Sequence, residues 1–231
     1  KLYADVKQSK NVYVIYFGSS DISWAQTQFE KYMDTNYGYG DRQTIAKFSC
    51  PPPNCNGGVT VHTANFDSII LMGDNNGWKG VNYFPTPGYL GHTFAHEYTH
   101  TIQMTNMNPN WGNFPTWLIE GGAEFSATIG VNSKTYSDYT YYRKRSDLGE
   151  QYQESNSYDL EFIQNFLNPN LTFSQGMNIG SYLNNYPHWD AYAIGMMTCE
   201  VLVALKGPDS LINILQYINS GMTFSGNWFG P

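Results

Sequence analysis

The sequence predicts an α+β protein, with a sheet-bearing N-terminal lobe over residues 1–104 and a mainly helical C-terminal lobe over residues 105–231. Two patterns support this prediction. Short β-prone apolar runs bounded by turn residues fill the first part of the chain, whereas apolar residues recur at helical spacing from Trp117 onward. A chain of 231 residues can bury a sizeable core. We expect both lobes to belong to one domain.

The first predicted unit is a strand followed by a helix. Residues 12–17 form a nearly continuous apolar run, which is typical of a strand buried on both faces, so we expect this strand to be central in its sheet. Gly18 ends the run, and the polar residues 19–21 can cap a helix. Apolar side chains over residues 22–33 then recur at helical spacing, which predicts an amphipathic helix ending near Gly38.

Three short strands are predicted next, over residues 43–48, 59–63 and 68–73, with turn-forming residues between them. Residues 78–84 are predicted as an extended edge segment that stops at Pro85. Because a sheet edge can accept an added strand, this segment is a candidate for binding a peptide.

The remaining patterns are mostly helical. Residues 88–104 lack proline and predict a helix, whereas the asparagine- and proline-rich residues 106–115 predict a loop. The segments between the later helices are polar and tyrosine-rich, and we expect them to be loops. The later helices are predicted over residues 117–129, 159–167, 188–205 and 209–218, the last of them capped by Asp209 behind Gly207 and Pro208.

Charge and hydropathy exclude two classes of partner. The net charge of -7 and the lack of a basic stripe argue against nucleic acid. Residues 141–145 are the only dense basic cluster, and we interpret them as a solvated face without a role. No run of about 18 apolar residues occurs, so no membrane span is expected; the best candidate, residues 191–205, is interrupted by Thr198 and Glu200.

The cysteines indicate the compartment. Cys50 and Cys55 bracket a stiff proline-rich turn that could join them as a disulfide; a metal clip is the alternative, but neither the spacing nor nearby histidines support it. A disulfide favours an oxidising compartment, so we expect a secreted or otherwise extracytoplasmic protein. No signal peptide is present, and on this view Lys1 follows a removed segment. Cys199 lies in an apolar helical run and is expected to be buried and inert.

The predicted helix over residues 88–104 contains His96-Glu97-Tyr98-Thr99-His100. Histidines four residues apart lie on one face of a helix and can share one metal ion, here one Zn²⁺. Glu97 projects beside them and can take a proton from the water at the open position of the metal, as a general base. His92 lies ~12 Å along the helix axis from His100, so all three histidines cannot bind one ion.

A second segment supplies the third ligand that a catalytic zinc ion commonly needs. Glu120 stands twenty residues after His100, in a stretch predicted to be helical. Glu124 follows one turn later, where it could accept a hydrogen bond from the distal ring nitrogen of a ligand histidine; a solvated Glu124 is the alternative. Gly121 and Gly122 suggest that this turn packs tightly against the metal helix.

These segments resemble the gluzincin metallopeptidases, which include thermolysin and the aminopeptidases related to leukotriene A4 hydrolase. His96–His100 matches their metal helix, and residues 117–125 resemble the segment W-L-x-E-G-x-A-E-Y, whose first glutamate is the third ligand. Tyr192-Ala193-Ile194-Gly195 resembles their Y-x-x-G helix start. The resemblance implies a zincin-like fold with the HExxH helix between two lobes, and it implies that Tyr192 stabilises the oxyanion of the transition state.

The resemblance covers the chain from Gly88 onward and has departures. No G-A-M-E-N segment is present, which disfavours an aminopeptidase and favours cutting within chains. Ile119 stands where thermolysin relatives have an asparagine that supports a ligand histidine. Relatives often continue beyond the position of Pro231, so we expect a portion of a longer protein.

The sequence therefore predicts one catalytic domain, a zinc-dependent endopeptidase acting on a peptide or protein substrate. Two alternatives stay open. One is a catalytically inactive zinc-containing binding or adhesion module, against which the intact Glu97 argues. The other is a zinc hydrolase of a non-peptide amide or ester, which the same chemistry permits.

Overall fold

The computed structural model describes residues 6–33, 45–50, 55–63, 65, 67–74, 91–107, 116–129, 133–147 and 190–220. The chain divides into two compact units, residues 7–105 and residues 106–231 together with 1–6. Over the described ranges the structure has three strands and seven α-helices, so the predicted α+β class is confirmed.

The unit of residues 7–105 contains a mixed three-stranded sheet. Its strands are β1 (Val12–Phe17), β2 (Asn56–His62) and β3 (Ser68–Asp74), in the order β1-β3-β2. β1 runs parallel to β3, with Val12 opposite Ser68, and β2 runs antiparallel to β3, with Asn56 opposite Asp74. The three predicted strand positions 12–17, 59–63 and 68–73 are therefore confirmed.

The central strand of this sheet is β3, and the prediction that residues 12–17 are central is wrong among the described strands. Every residue of β3 from Ser68 to Gly73 is buried. In β1 only alternate residues are buried: Ile15 and Phe17 belong to the core, whereas Val14 on the opposite face is 45% exposed. A run of apolar residues can thus form an edge strand when only one of its faces packs in the core.

Two helices cover the core face of the sheet. Helix α1 (Ile22–Tyr32) buries Ala25 and Phe29 against the core residues of the sheet. It ends earlier than predicted, because Met33 is already extended, with a ψ of 129°. A further prediction is wrong for its described part: within the predicted strand 43–48, residues 45–48 belong to helix α2 (Ile45–Ser49).

Helix α2 forms because its neighbouring apolar residues both need burial. Ile45 and Ala46 are adjacent in sequence and both pack in the same core, whereas adjacent side chains of a strand point to opposite faces of the sheet. The backbone N–H of Ala46 donates to Oε1 of Gln26, at 3.1 Å. Cys50 follows the helix and forms the predicted disulfide with Cys55, immediately before β2.

Helix α3 (His92–Met107) is joined to the sheet by a polar network. The hydroxyl of Ser9, in the segment before β1, lies 2.7 Å from that of Ser68 and 2.9 Å from that of Thr105 on α3. The Ser68 hydroxyl also lies 3.0 Å from Nδ1 of His62. Buried polar groups with partners restrict a helix to one register, so this network fixes α3 against β2 and β3.

The second unit contains four described helices, which are α4 (Thr116–Ala127), α5 (Tyr136–Asp147), α6 (Asp190–Lys206) and α7 (Ser210–Asn219). Helices α4, α6 and α7 match predicted segments. These three helices share one core. The core consists of Trp117, Leu118, Ile119, Phe125, Met196, Cys199, Leu211 and Leu215.

Helices α4 and α6 approach each other at two glycines. A Cβ atom at Gly121 would collide with the backbone of Gly195, and one at Gly195 would collide with the carbonyl of Trp117. The nearest neighbour of Gly121 is therefore helix α6, where we expected the metal helix. A third glycine, Gly207, has a φ of 85° and ends α6, because this left-handed conformation favours glycine.

The prediction of loops between the later helices is wrong for Tyr136–Asp147, which form helix α5. The Thr135 hydroxyl accepts from the N–H of Asp138, and the Asp138 carboxylate accepts from the N–H of Thr135, which is a capping box. Arg143, from the predicted solvated basic cluster, donates to both carboxylate oxygens of Glu200 on α6 at 3.0 and 2.8 Å. Burial raises the pKa of Glu200.

Some predictions lie outside the described residues, namely the edge segment 78–84, the helix 159–167 and most of the loop 106–115. Cys199 is fully buried, as expected, and burial raises the pKa of its thiol. None of the described helices combines the length and apolar character that crossing a membrane requires. The disulfide hints at an extracytoplasmic location.

Candidate metal centre

The two histidines of the motif point their Nε2 atoms at each other. Both side chains are buried on α3, with His96 6% and His100 7% exposed. Their Nε2 atoms lie 3.0 Å apart, and the two rings meet edge to face at 85°. Two imidazole nitrogens bound tetrahedrally to one zinc ion lie roughly 3.3 Å apart. The pair is therefore within a few tenths of an ångström of the separation that a shared zinc ion requires.

The tautomer of His100 suits metal binding. Its Nδ1 lies 2.7 Å from the amide oxygen of Gln103, which can only accept a hydrogen bond, so Nδ1 carries the hydrogen. The lone pair of His100 Nε2 then faces His96, whose Nε2–H donates to it when no ion is bound. A metal ion would replace that hydrogen, and Gln103 would keep the His100 ring in its orientation.

A carboxylate joins the two histidines. The possible ligand atoms of His96, His100 and Glu120 all lie within 4.8 Å of one another, and this is the one such group in the part of the chain that the structure describes. Glu120 is partly buried on α4. Two neutral imidazoles and one carboxylate form a donor set that catalytic zinc ions use, with one position left open. The three residues thus fit a zinc ion.

Glu97 contacts strand β2. Its side chain is 6% exposed, and the hydroxyl of Thr60 lies 2.7 Å from its Oε2 and 2.9 Å from its backbone oxygen. Gly58 faces the same side chain, and a Cβ atom there would lie 2.6 Å from Cγ and Oε1 of Glu97. The carboxylate of Glu97 therefore lies against the backbone of β2 and is outside the ligand group.

Glu124 and Tyr192 belong to the same unit as Glu120. Glu124 is 2% exposed, which removes the alternative that it is solvated; its hydrogen bond to a ligand histidine stays a prediction. Tyr192 is half-buried on α6, one turn before Gly195. The close approach of α4 and α6 at Gly121 and Gly195 thus fixes Glu120 and Tyr192 relative to each other. The role of Tyr192 as an oxyanion donor stays a prediction.

The other two described histidines are not ligands of this group. His92 is 4% exposed, and His62 is 3% exposed beside Ser68. Burial, with a contribution from Lys7, lowers the pKa of His62, while Asp67 acts in the opposite direction. His62 is therefore a buried neutral side chain at neutral pH.

Three residues around the motif were not anticipated from the sequence: Gln103, Thr60 and Gly58. Gln103 follows His100 by three residues on one helix, so helical spacing alone could have found it. Thr60 precedes Glu97 by 37 residues, and only the packing of β2 against α3 connects them. No local sequence signal identifies such a pair.

Comparisons of the chain with protein-family models, curated proteins and solved structures find no match. The resemblance to gluzincins is therefore carried by the motifs alone, and membership of that family stays a prediction.

Proposed function

We propose that this protein is a zinc-dependent metallopeptidase of the gluzincin type, with a zincin-like fold, that cuts within peptide or protein chains. The observation that carries the proposal is the convergence of the Nε2 atoms of His96 and His100 at 3.0 Å, with a buried carboxylate, Glu97, beside them. The grouping of Glu120 with these histidines supports it further. A structural zinc site would have no use for the additional buried carboxylate.

Each residue has a separate task in this proposal. His96, His100 and Glu120 hold the ion. When bound, zinc lowers the pKa of water to about 7 and polarises the carbonyl oxygen of the substrate. Glu97 accepts the proton of the attacking water, and its position outside the ligand group keeps it available as a base. The hydroxyl of Tyr192 donates a hydrogen bond to the oxyanion that forms on the substrate.

The Cys50–Cys55 disulfide supports a proposed secreted location. Protein substrates outside the cell would then be the natural targets of the enzyme. The proposal of an endopeptidase rests on the lack of a segment that binds a free amino terminus. A peptide blocked at both ends tests this point directly, because an endopeptidase cuts it and an aminopeptidase does not.

The decisive experiment combines metal content with cleavage. The purified protein should contain one zinc ion per chain by elemental analysis, cleave a denatured protein at internal bonds identified by mass spectrometry, and lose this activity with a zinc chelator. Binding of zinc without cleavage of any peptide would overturn the peptidase proposal and favour the binding module. Cleavage of ester or non-peptide amide probes alone would favour the other alternative.

The first prediction concerns the proposed base. Replacing Glu97 with Gln should lower turnover by about 10²- to 10⁴-fold, because the amide cannot accept the proton. Zinc content should stay at the wild-type level, since Glu97 is not in the ligand group. Glu30, an exposed glutamate on α1, provides the matched control: Glu30→Gln should retain full activity. Zinc loss in Glu97→Gln would contradict the assignment of Glu97 as base.

A further inference from the structure

We infer that Thr60 and Gly58 are positioning residues. Through them, strand β2 holds the carboxylate of Glu97 in the position from which it accepts the proton of water. This inference rests on the proposed function, because it assigns the placement of the base in that reaction. It concerns a different part of the chain from the motif and is carried by contacts within residues 7–105.

Strand β2 presents one face to Glu97 and the other to the core. Side chains two apart on a strand share a face, so Gly58 and Thr60 lie on the same side. Both of them contact Glu97. The intervening Val59 and Val61 lie on the opposite side and pack in the core of the sheet. Packing of Val59 and Val61 in the core thus fixes strand β2, and the opposite face of β2 contacts Glu97.

Thr60 provides a hydrogen bond of fixed direction. Its side chain is 4% exposed, and β-branching restricts its rotamers, so its hydroxyl has little freedom. The hydroxyl has one hydrogen and two acceptors within reach, Oε2 and the backbone oxygen of Glu97, at 2.7 and 2.9 Å. It can donate to the carboxylate before the proton transfer. After Glu97 has gained the proton, it can donate to the backbone oxygen instead.

Gly58 provides the space. A Cβ atom there would lie 2.6 Å from both Cγ and Oε1 of Glu97, well inside van der Waals contact. The colliding atoms belong to a flexible side chain, so an alanine at this position would displace the carboxylate and leave the backbone of β2 in place. Gly58 and Thr60 therefore confine the glutamate from two sides, one by space and one by a hydrogen bond.

A glutamate with three side-chain torsions would otherwise spread over several rotamers. A base that is misplaced by 1 Å can cost about a hundredfold in rate. Confinement by β2 should act on the chemical step and leave substrate binding unchanged, because neither Thr60 nor Gly58 is proposed to touch the substrate. The expected signature is a change in kcat with an unchanged KM.

The test uses the zinc-loaded protein and four variants. Thr60→Val keeps the shape and removes the hydroxyl, and we expect kcat to fall by about tenfold to a hundredfold with KM within twofold of wild type. Thr60→Ser restores the hydroxyl and should return kcat to within about threefold of wild type. Gly58→Ala should lower kcat in the same way as Thr60→Val. Thr27→Val, at an exposed threonine on α1, is the matched control and should have no effect.

A second readout does not depend on turnover. Crystal structures of wild type, Thr60→Val and Gly58→Ala should show the Glu97 carboxylate displaced in both variants, with the zinc ligands unmoved. An unmoved carboxylate, an unchanged kcat in Thr60→Val, or no recovery in Thr60→Ser would overturn the inference. If wild type binds zinc but cleaves nothing, the proposed function fails, whereas the carboxylate positions still test the support by β2 on their own.

Discussion

At the scale of single residues, the hydrogen-bond partners of a side chain distinguish its possible roles. A glutamate next to a ligand histidine could bind the metal itself or act on water. Glu97 has its carboxylate directed to Thr60 of β2, which separates it from the ligand group. His100 is directed by Gln103 in the same manner, with its distal nitrogen facing the other histidine. Neighbouring residues of one helix are thus oriented differently because they have different partners.

The role of Gln103 leads to a prediction about metal affinity. Replacing Gln103 with Leu removes the acceptor for the Nδ1 hydrogen of His100, so the ring loses its fixed tautomer and orientation. The affinity for zinc should fall by about 10- to 100-fold in competition with a chelator. Gln216→Leu, at an exposed position of α7, should leave the affinity unchanged. Equal affinities in the Gln103 variant and wild type would show that this hydrogen bond does not support the ligand.

Tyr192 is tested by removal of its hydroxyl alone. Replacing Tyr192 with Phe should lower kcat by about 10²- to 10³-fold, because the oxyanion loses a hydrogen-bond donor at the stage where charge develops. Zinc content should be unchanged, since Tyr192 is not one of the three proposed ligands. Tyr136→Phe, at a tyrosine that is 81% exposed, is the matched control. Full turnover in Tyr192→Phe would remove Tyr192 from the mechanism.

At the scale of elements, the approach of α4 to α6 depends on the lack of side chains at Gly121 and Gly195. An alanine at an uncrowded helix position stabilises by about 1 kcal/mol relative to glycine, through helix propensity. Gly195→Ala should have the opposite sign and destabilise by about 1–3 kcal/mol, because its methyl group meets the carbonyl of Trp117. Urea unfolding followed by circular dichroism measures the difference, and an unchanged or increased stability would contradict the close approach.

The elements also show what the sequence could predict. Local patterns correctly predicted most of the described elements. Apolar runs bounded by turn residues predicted β1, β2 and β3, helical spacing predicted α1, α4, α6 and α7, and a stretch without proline predicted α3. Turn-forming residues after positions 43–48 predict a strand there, but Ile45 and Ala46 are adjacent and both lie in the same core, which a helix allows. Helix α5 has no clear apolar stripe, and its capping box at Thr135 and Asp138 was the only local signal.

The candidate site also contains positions that the sequence could predict and positions that it could not. The convergence of His96 and His100 could be predicted, because their four-residue spacing places both on one face of a helix. Glu120 could be selected from the segment that resembles gluzincins, and it belongs to the group that could hold a metal ion. The position of Glu97 could not be predicted, because it depends on β2, a strand far away in sequence. A central place for β1 was predicted from its apolar run, yet Val14 is exposed, since burial of one face is set by the neighbouring strands and helices.

At the scale of the whole molecule, His62 makes the stability depend on pH. Burial lowers the pKa of His62 below its ordinary value of 6.5, so the unfolded chain binds more protons between the lowered value and 6.5. Stability should therefore be fully present above about pH 6.5 and fall as the pH decreases below it, by up to about 1.4 kcal/mol per pH unit for this one group.

The His62 contribution is isolated by comparing wild type with His62→Gln in the presence of a chelator. Urea unfolding between about pH 5 and pH 8 should give a difference in unfolding free energy that shrinks toward the acid side, because the variant lacks the titrating group. Residues that titrate in both proteins cancel from this difference. A difference that stays constant over this range would contradict the lowered pKa of His62.

The polar network around Ser9 has a consequence for the time course of folding. The antiparallel ladder of β2 and β3 closes over a short turn, whereas the parallel ladder of β1 and β3 joins Val12 to Ser68 across α1 and α2. Ser9 then contacts Thr105, 96 residues further along the chain. Loop closure over such distances is slow compared with a hairpin. The histidine helix should therefore dock last, so that a nascent chain brings Glu97 to Thr60 only when residues 7–105 are complete.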